Sequence, residues 1–140
     1  MINFFFETDI NLLDKDRVSN WITGVIHSED KTAGEINYIF CDDEYLLKLN
    51  QEFLDHNTYT DVIGFDNTIG NELHGDIFIS YERIKENAVQ FKVDVNEELR
   101  RVMVHGILHF CGYKDKSAKD KVVMTNKENE KLQMFHVEHL

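Results

Sequence analysis

The feature that most constrains the fold is a segment of helical length, residues 95–111, whose second half has almost no polar face. Apolar side chains recur on one side of this segment at the helical period, while Val104 and Leu108 point in other directions. The residues on the first side are Leu99, Val102, Met103, Ile107 and Phe110. A helix apolar on nearly all sides has to be covered on nearly all sides. We therefore predict that the second half of this helix is buried.

Strand-like and helix-like segments alternate through the rest of the chain. Strands are predicted at residues 2–6, 35–41, 62–65 and 76–80, and residues 67–75 are predicted to be a turn. Helices are predicted at residues 11–26, 81–91 and 95–111. Another helix, capped by Asp42 or Asp43, is predicted to reach Phe53, and a final helix is predicted from Ser117 towards Phe135. The first helix has an apolar face made of Leu12, Leu13, Val18, Trp21, Ile22 and Val25. Asp94 with Glu97, and Ser117 with Asp120, have the spacing of capping boxes. This order predicts an α/β or α+β fold with a roughly four-stranded mixed sheet.

Length and composition indicate one domain spanning residues 1–140. A chain of 140 residues is long enough to bury a single compact core. The N-terminal apolar run lacks a basic region before it and a small-residue cleavage site, so we expect a strand and no signal peptide. Cys41 and Cys111 lie far apart and form no C-x-x-C pair. We expect reduced thiols, a cytoplasmic location and no membrane association.

The net charge of −11 disfavours independent, tight binding to nucleic acid. Proteins that grip phosphates usually present a basic surface. Two local clusters of basic residues remain as possible RNA contacts. They are Arg100 with Arg101, and Lys114, Lys116, Lys119 and Lys121. A protein with this negative net charge would bind RNA through one small basic surface or with the help of a partner.

Near the end of the apolar helix, two histidines lead into a glycine and an aspartate with the spacing H-x-x-x-H-x-x-G-x-x-D. His105 and His109 are one turn apart and project from the same side of the helix. Gly112 stands where a helix C-terminus favours a left-handed residue, so the chain can turn there and return Asp115 towards the imidazoles. Two nitrogens and a carboxylate oxygen make a three-ligand zinc site with an open position.

The alternative is a pair of core histidines hydrogen-bonded to backbone or water, with Gly112 only a cap and Asp115 only a turn residue. The glycine and carboxylate at this spacing favour the metal site. The donors suit zinc best, although they are also those of the non-haem iron facial triad. The spacing is close to the metzincin signature H-E-x-x-H-x-x-G-x-x-H. Gly106 replaces the general-base glutamate of that signature, which argues against peptide hydrolysis.

Three motifs in register resemble the bacterial YbeY family. HGILHFCGYKD is similar to its H-G-x-L-H-x-x-G-Y-D-H pattern, and GDIFIS, which begins at Gly75, is similar to its G-D-I strand. LNQEFLDHNTYTDVIGFD, which begins at Leu49, resembles its L-N-x-x-Y-R and T-D-V-L-S-F motifs. Within that stretch we interpret Thr60, Asp61 and Gly64 as turn residues that precede a strand. His136 and His139 match no motif and are interpreted as surface residues of the last helix or its tail.

The resemblance implies a metzincin-like metal-site helix and one zinc ion per chain, with His105, His109 and Asp115 as both metal ligands and catalytic residues. It implies a single-strand-specific endoribonuclease of ribosomal RNA maturation and late small-subunit quality control. The implied partners are ribosomal RNA, small-subunit ribosomal proteins and an assembly GTPase.

Three departures from the family pattern bear on the chemistry of the site. Asp115 takes the place of the third histidine, Lys114 that of an aspartate and Leu54 that of an arginine. Three other interpretations remain open at this point. They are a non-catalytic ribosome-assembly factor with a structural or vestigial metal, a metalloprotease, and a metal-free structural domain.

Overall fold

Strands and helices alternate along residues 1–10, 14–56 and 58–137, the part of the chain that a computed structural model describes. In chain order the elements are β1 (Ile2–Phe6), α1 (Lys15–Ser28), β2 (Thr32–Cys41), α2 (Asp43–Phe53), β3 (Val62–Asp66), β4 (Glu72–Ser80), α3 (Tyr81–Phe91), α4 (Val95–Phe110) and α5 (Ala118–Val137). Each predicted helix and strand has a counterpart in this order, although several begin or end at other residues than predicted. Among these residues, no helix has the length and apolar character needed to cross a membrane.

The four strands form one mixed sheet in the order β1-β2-β4-β3. β1 and β4 both run parallel to β2, whereas β3 runs antiparallel to β4 at the edge. On the two central strands, alternate side chains point into the core and are fully buried. They include Ile36, Tyr38, Phe40, Ile77 and Ile79. The predicted α/β class with a four-stranded mixed sheet is confirmed.

The predicted ends of several elements were wrong. β4 begins at Glu72, inside the predicted turn, and β2 begins at Thr32, because Thr32 pairs with Glu72 in parallel register. This pairing is long-range and overrides the local turn signals. The described part of α1 begins at Lys15, after Asp14 with φ of 55°, whereas residues 11–13, including Leu12 and Leu13, lie outside the described residues. The other predicted apolar residues of α1 are buried.

α4 packs against both the sheet and three of the helices, with contacts to α1, α3, α5, β3 and β4. Val104 and Leu108 are as fully buried as the residues on the opposite side, which confirms the predicted burial of its second half. Asp94 caps the helix by accepting a hydrogen bond from the backbone N–H of Asn96. The carboxylate of Glu97 pairs with Arg100 at 3.1 Å, so a reciprocal capping box is not what begins this helix.

Candidate metal centre

The turn that follows α4 is made by Gly112, as predicted. Its φ of +106° is a value that residues with a Cβ rarely adopt. The N–H of Gly112 bonds the carbonyl of His109, and the N–H of Tyr113 bonds the carbonyl of Leu108, both at 3.0 Å. This pair of bonds is the Schellman motif, which reverses the chain at a helix end. The reversal returns the segment containing Asp115 to the face of α4 that carries the histidines.

The three predicted ligands meet at one point in space. Nε2 of His105 and Nε2 of His109 are 3.1 Å apart, and each is 3.2 Å from Oδ2 of Asp115. Ligand atoms around a tetrahedral zinc ion, with bonds near 2.1 Å, are separated by about 3.4 Å. The arrangement therefore already has nearly the size of a three-ligand zinc site, and the three residues could hold a metal ion.

The opposite nitrogen of each ring determines which atoms face inward. Nδ1 of His105 is 2.6 Å from a carboxylate oxygen of Glu128, and Nδ1 of His109 is 3.0 Å from the carbonyl oxygen of Tyr113. Both partners are acceptors, so Nδ1 carries the proton in each neutral ring and Nε2 keeps its lone pair. Two lone pairs and a carboxylate oxygen then converge with no donor between them. This donor set fits a divalent cation.

A buried network of ion pairs holds His105 through its Nδ1 atom. Glu128 on α5 is 5% exposed, and its carboxylate also accepts a 3.1 Å bond from Arg101. Arg101 in turn pairs with Glu98 at 2.6 Å, a glutamate with 2% of its side chain exposed. A carboxylate that orients a ligand histidine is a common feature of zinc sites. Sequence reasoning did not identify Glu128, because it lies 23 residues from His105 with no motif around it.

The charges around the site are predominantly negative. Burial lowers the pKa of His105, but its hydrogen bond to Glu128 and the charges of Glu128, Asp115 and Asp61 outweigh burial and leave the pKa raised. Three carboxylates act on the ring, those of Glu128, Asp61 and Asp115, and Arg101 pairs with one of them, Glu128. A divalent cation would offset most of this excess.

The metal-site residues line one wall of a cleft of about 560 Å³. The facing wall is the segment between α2 and β3, with Leu54, Tyr59 and Asp61 among the lining residues. The side chain of Asn50, which is 3% exposed, holds this segment by donating a 2.8 Å bond to the carbonyl of Thr58. The buried Asn50 thus holds one wall of the cleft in position.

Asp61 lies on the cleft wall near His105, which its interpretation as a turn residue did not anticipate. Its carboxylate accepts a 3.2 Å bond from Asn87 on α3. Burial raises the pKa of Asp61, and the positive charges of Arg101 and His105 only partly counter that effect. Gly64, by contrast, acts through packing, because a Cβ there would lie 3.2 Å from the ring of Phe110.

Comparison with known proteins identifies the family. The model of the family described as Endoribonuclease YbeY matches residues 4–136. The chain belongs to the YbeY family. It is 58% identical over 137 residues to the Endoribonuclease YbeY of Flavobacterium psychrophilum, with 98% of each chain covered. It is also 58% identical over 138 residues to that of Flavobacterium johnsoniae, with 99% of each covered. Membership in this family supports an endoribonuclease role, that of a hydrolase that acts on RNA.

The fold agrees with that of a solved structure. The solution structure of TM1509 from Thermotoga maritima superimposes with a TM-score of 0.70 at 24% identity. The match covers 99% of this chain and 91% of that one. The two proteins therefore share a fold.

Three residues near the site differ from the family pattern or from the metzincin signature. Leu54, 42% exposed, lines the cleft at the position of the arginine in the family pattern. Lys114 lines a second cavity beside His109 and Asp115. A Cβ at Gly106 would lie 3.0 Å from Cδ1 of Ile77, so a larger residue there would require the side chain of Ile77 to shift. His136 is on α5 and lies 3.3 Å from Glu97, away from the site, and His139 is outside the described residues.

Proposed function

We propose that this chain is a zinc-dependent endoribonuclease specific for single-stranded RNA, and that residues 1–140 act as one metallohydrolase domain. One zinc ion per chain is held by His105, His109 and Asp115, which are also the catalytic residues. The observation that carries the proposal is the triangle of inward-facing acceptor atoms, 3.1–3.2 Å apart, at the wall of an open cleft. Three protein ligands and an open side are typical of catalytic zinc sites rather than structural ones.

The metal, when bound, supplies a Lewis acid that polarises a phosphate oxygen and lowers the pKa of water. The residues of the chain do the remaining work. Glu128 and the carbonyl of Tyr113 hold the two imidazoles in the tautomer that presents Nε2 to the cleft. Gly106 brings no general base. Among the cleft residues that are not ligands, the carboxylates of Asp61 and Asp66 and the imidazole of His56 are the groups that could take up a proton.

We propose ribosomal RNA as the substrate, within a cytoplasmic small-subunit particle, where the enzyme acts in RNA maturation and late quality control. The net charge of −11 supports this setting, because partners in a particle can supply the affinity that the protein lacks for naked RNA. The partners would be small-subunit ribosomal proteins and an assembly GTPase. The free thiols of Cys41 and Cys111 are consistent with a reducing compartment.

The test compares the wild-type protein with His109→Ala on precursor ribosomal RNA in isolated particles, and on free single-stranded and duplex RNA. Metal content is measured by plasma mass spectrometry on the same samples. Near-stoichiometric zinc and cleavage of single strands, both lost in the variant, would support the proposal. Equal cleavage by the two proteins would overturn it.

A second function is favoured by one observation. Leu54 puts an apolar side chain in the cleft where the family pattern has an arginine, a residue that would stabilise developing charge at a phosphate. With that cation missing, a ribosome-assembly factor with a structural metal is the alternative. Zinc in the wild type without any turnover, in particles or on free RNA, would favour this alternative.

A further inference from the structure

The arginines of this chain are already engaged. Arg100 pairs with Glu97, and Arg101 with Glu98 and Glu128, so the first of the two basic clusters considered from the sequence is used within the fold. Arg83 pairs with Asp43 and Glu86, and Arg17 donates to the carbonyl of Phe135. An arginine that is already paired within the fold is a poor contact for an incoming polyanion, because the existing pairing would have to be broken first.

The main cleft itself lacks a permanent cation. Among the described residues that line it, none is lysine or arginine, and three are aspartates, Asp61, Asp66 and Asp115. A bound metal would neutralise one phosphate. RNA, however, carries a phosphate at every nucleotide. The phosphates on either side of the cleaved bond would therefore meet a negative surface unless a positively charged group lies close to them.

Two unengaged lysines lie directly beside the third ligand. Lys114 and Lys116 flank Asp115, and within the part of the chain that the structure describes neither has an ion-pair or hydrogen-bond partner. Both are exposed and line a cavity of about 270 Å³ together with His109 and Asp115. The main cleft is also lined by His109 and Asp115, so the two cavities meet at the metal ligands.

We propose that Lys114 and Lys116 form a phosphate-binding subsite for single-stranded RNA, one that receives the backbone phosphates adjacent to the bond held at the metal centre. This inference rests on the proposed function and adds how the substrate is held. The strand would pass from the cleft, across His109 and Asp115, into the lysine cavity. Lysine ammonium groups are flexible point charges that suit phosphates in varied positions and read no base sequence.

The experiment measures binding apart from cleavage. Zinc-loaded protein is titrated into a short labelled single-stranded RNA, fluorescence anisotropy is followed across a salt series, and a gel of each sample checks that the RNA is still intact. The test variant is Lys114→Gln with Lys116→Gln. The matched control is Lys119→Gln with Lys121→Gln, which removes the same charge from α5, and the Lys→Arg pair at positions 114 and 116 is the conservative variant.

We expect the test variant to bind about 10-fold more weakly and its salt slope to fall by about 1.4, that is about 0.7 for each single-strand phosphate that it no longer binds. The arginine pair should restore both. Zinc content and melting temperature should match the wild type, because neither lysine is a ligand or part of the core.

Three results would overturn the inference. They are an unchanged salt slope in the test variant, an equal effect in the control, and no RNA binding by the wild type at low salt. Failure of the proposed function is a separate result, because it appears as wild-type protein that does not cleave RNA. The lysine subsite could then still bind RNA with its full salt slope.

Discussion

Glu128 on α5 accepts a 2.6 Å hydrogen bond from Nδ1 of His105 on α4, across 23 residues of sequence. The carboxylate is almost fully buried and also binds Arg101. The bond sets the ring orientation and the tautomer of a residue that we propose as a metal ligand. The position of α5 is therefore part of the metal centre, although no α5 side chain is among the proposed ligands.

Replacing Glu128 with glutamine should weaken zinc binding about 10- to 100-fold, because the variant keeps the shape of the side chain but loses the charge that increases the basicity of His105. Competition with a chromogenic chelator measures the affinity. Glu130→Gln is the control, since Glu130 lies on the same helix but is exposed and pairs with Lys127 and Lys131. Equal affinities in the two variants would show that Glu128 is only structural.

Asp115→Ala should abolish stoichiometric zinc binding, whereas Asp115→His should retain it. The Gly112 turn places position 115 opposite both imidazoles, so a histidine there restores a third donor. Metal content of each purified variant by plasma mass spectrometry is the measurement. Full zinc occupancy in the alanine variant would contradict the three-ligand site.

Zinc affinity should fall with decreasing pH from a higher pH than for an ordinary histidine of pKa 6.5, because the pKa of His105 is raised and protons compete with the metal. In metal-free protein the stability of the fold depends on pH with the opposite sign. The raised folded-state pKa stabilises the fold below the unfolded value, and this contribution disappears as pH rises through the folded value. Chelator competition and thermal melts across pH 5–9 test both trends. Parallel pH profiles for wild type and Glu128→Gln would contradict the assignment.

Gly75→Ala should lower the free energy of unfolding by about 1–3 kcal/mol. A Cβ there would lie too close to the backbone carbonyl of Phe65 and 2.7 Å from the ring of Phe110, next to His109. Gly64→Ala is the comparison, because its Cβ would meet only that ring, at 3.2 Å. Urea unfolding should show a clearly smaller decrease for Gly64→Ala. Equal decreases would show that the backbone contact is not the cause.

Both cysteines should react slowly with iodoacetamide near pH 8 in the folded protein. Burial, followed by the charges of Asp42 and Asp43, raises the pKa of Cys41 to about 12, and burial followed by Glu29 raises that of Cys111 to about 11. The thiolate is the reactive form, so fewer than about 1 in 100 of either thiol is reactive at that pH. Mass spectrometry before and after unfolding in urea is the measurement. Rapid labelling of native Cys41 would contradict its burial.

The sequence alone determined the features that depend on neighbouring residues. The period of α4 predicted a helix whose second half is buried on nearly all sides, the four-residue spacing placed His105 and His109 on one side, and Gly112 predicted the turn that returns Asp115. Each follows from backbone geometry and hydrogen bonds that span a few residues. The order of strands and helices predicted the fold class for the same reason.

Only the tertiary structure decided which distant groups surround the site. The start of β4 at Glu72 follows from pairing with β2, and the roles of Glu128 and Asp61 follow from the packing of α5 and of the segment before β3 against α4. The same packing engages Arg100 and Arg101 and leaves Lys114 and Lys116 unengaged. Local signals do not encode these contacts, because burial of a shared core brings together side chains that are far apart in the chain.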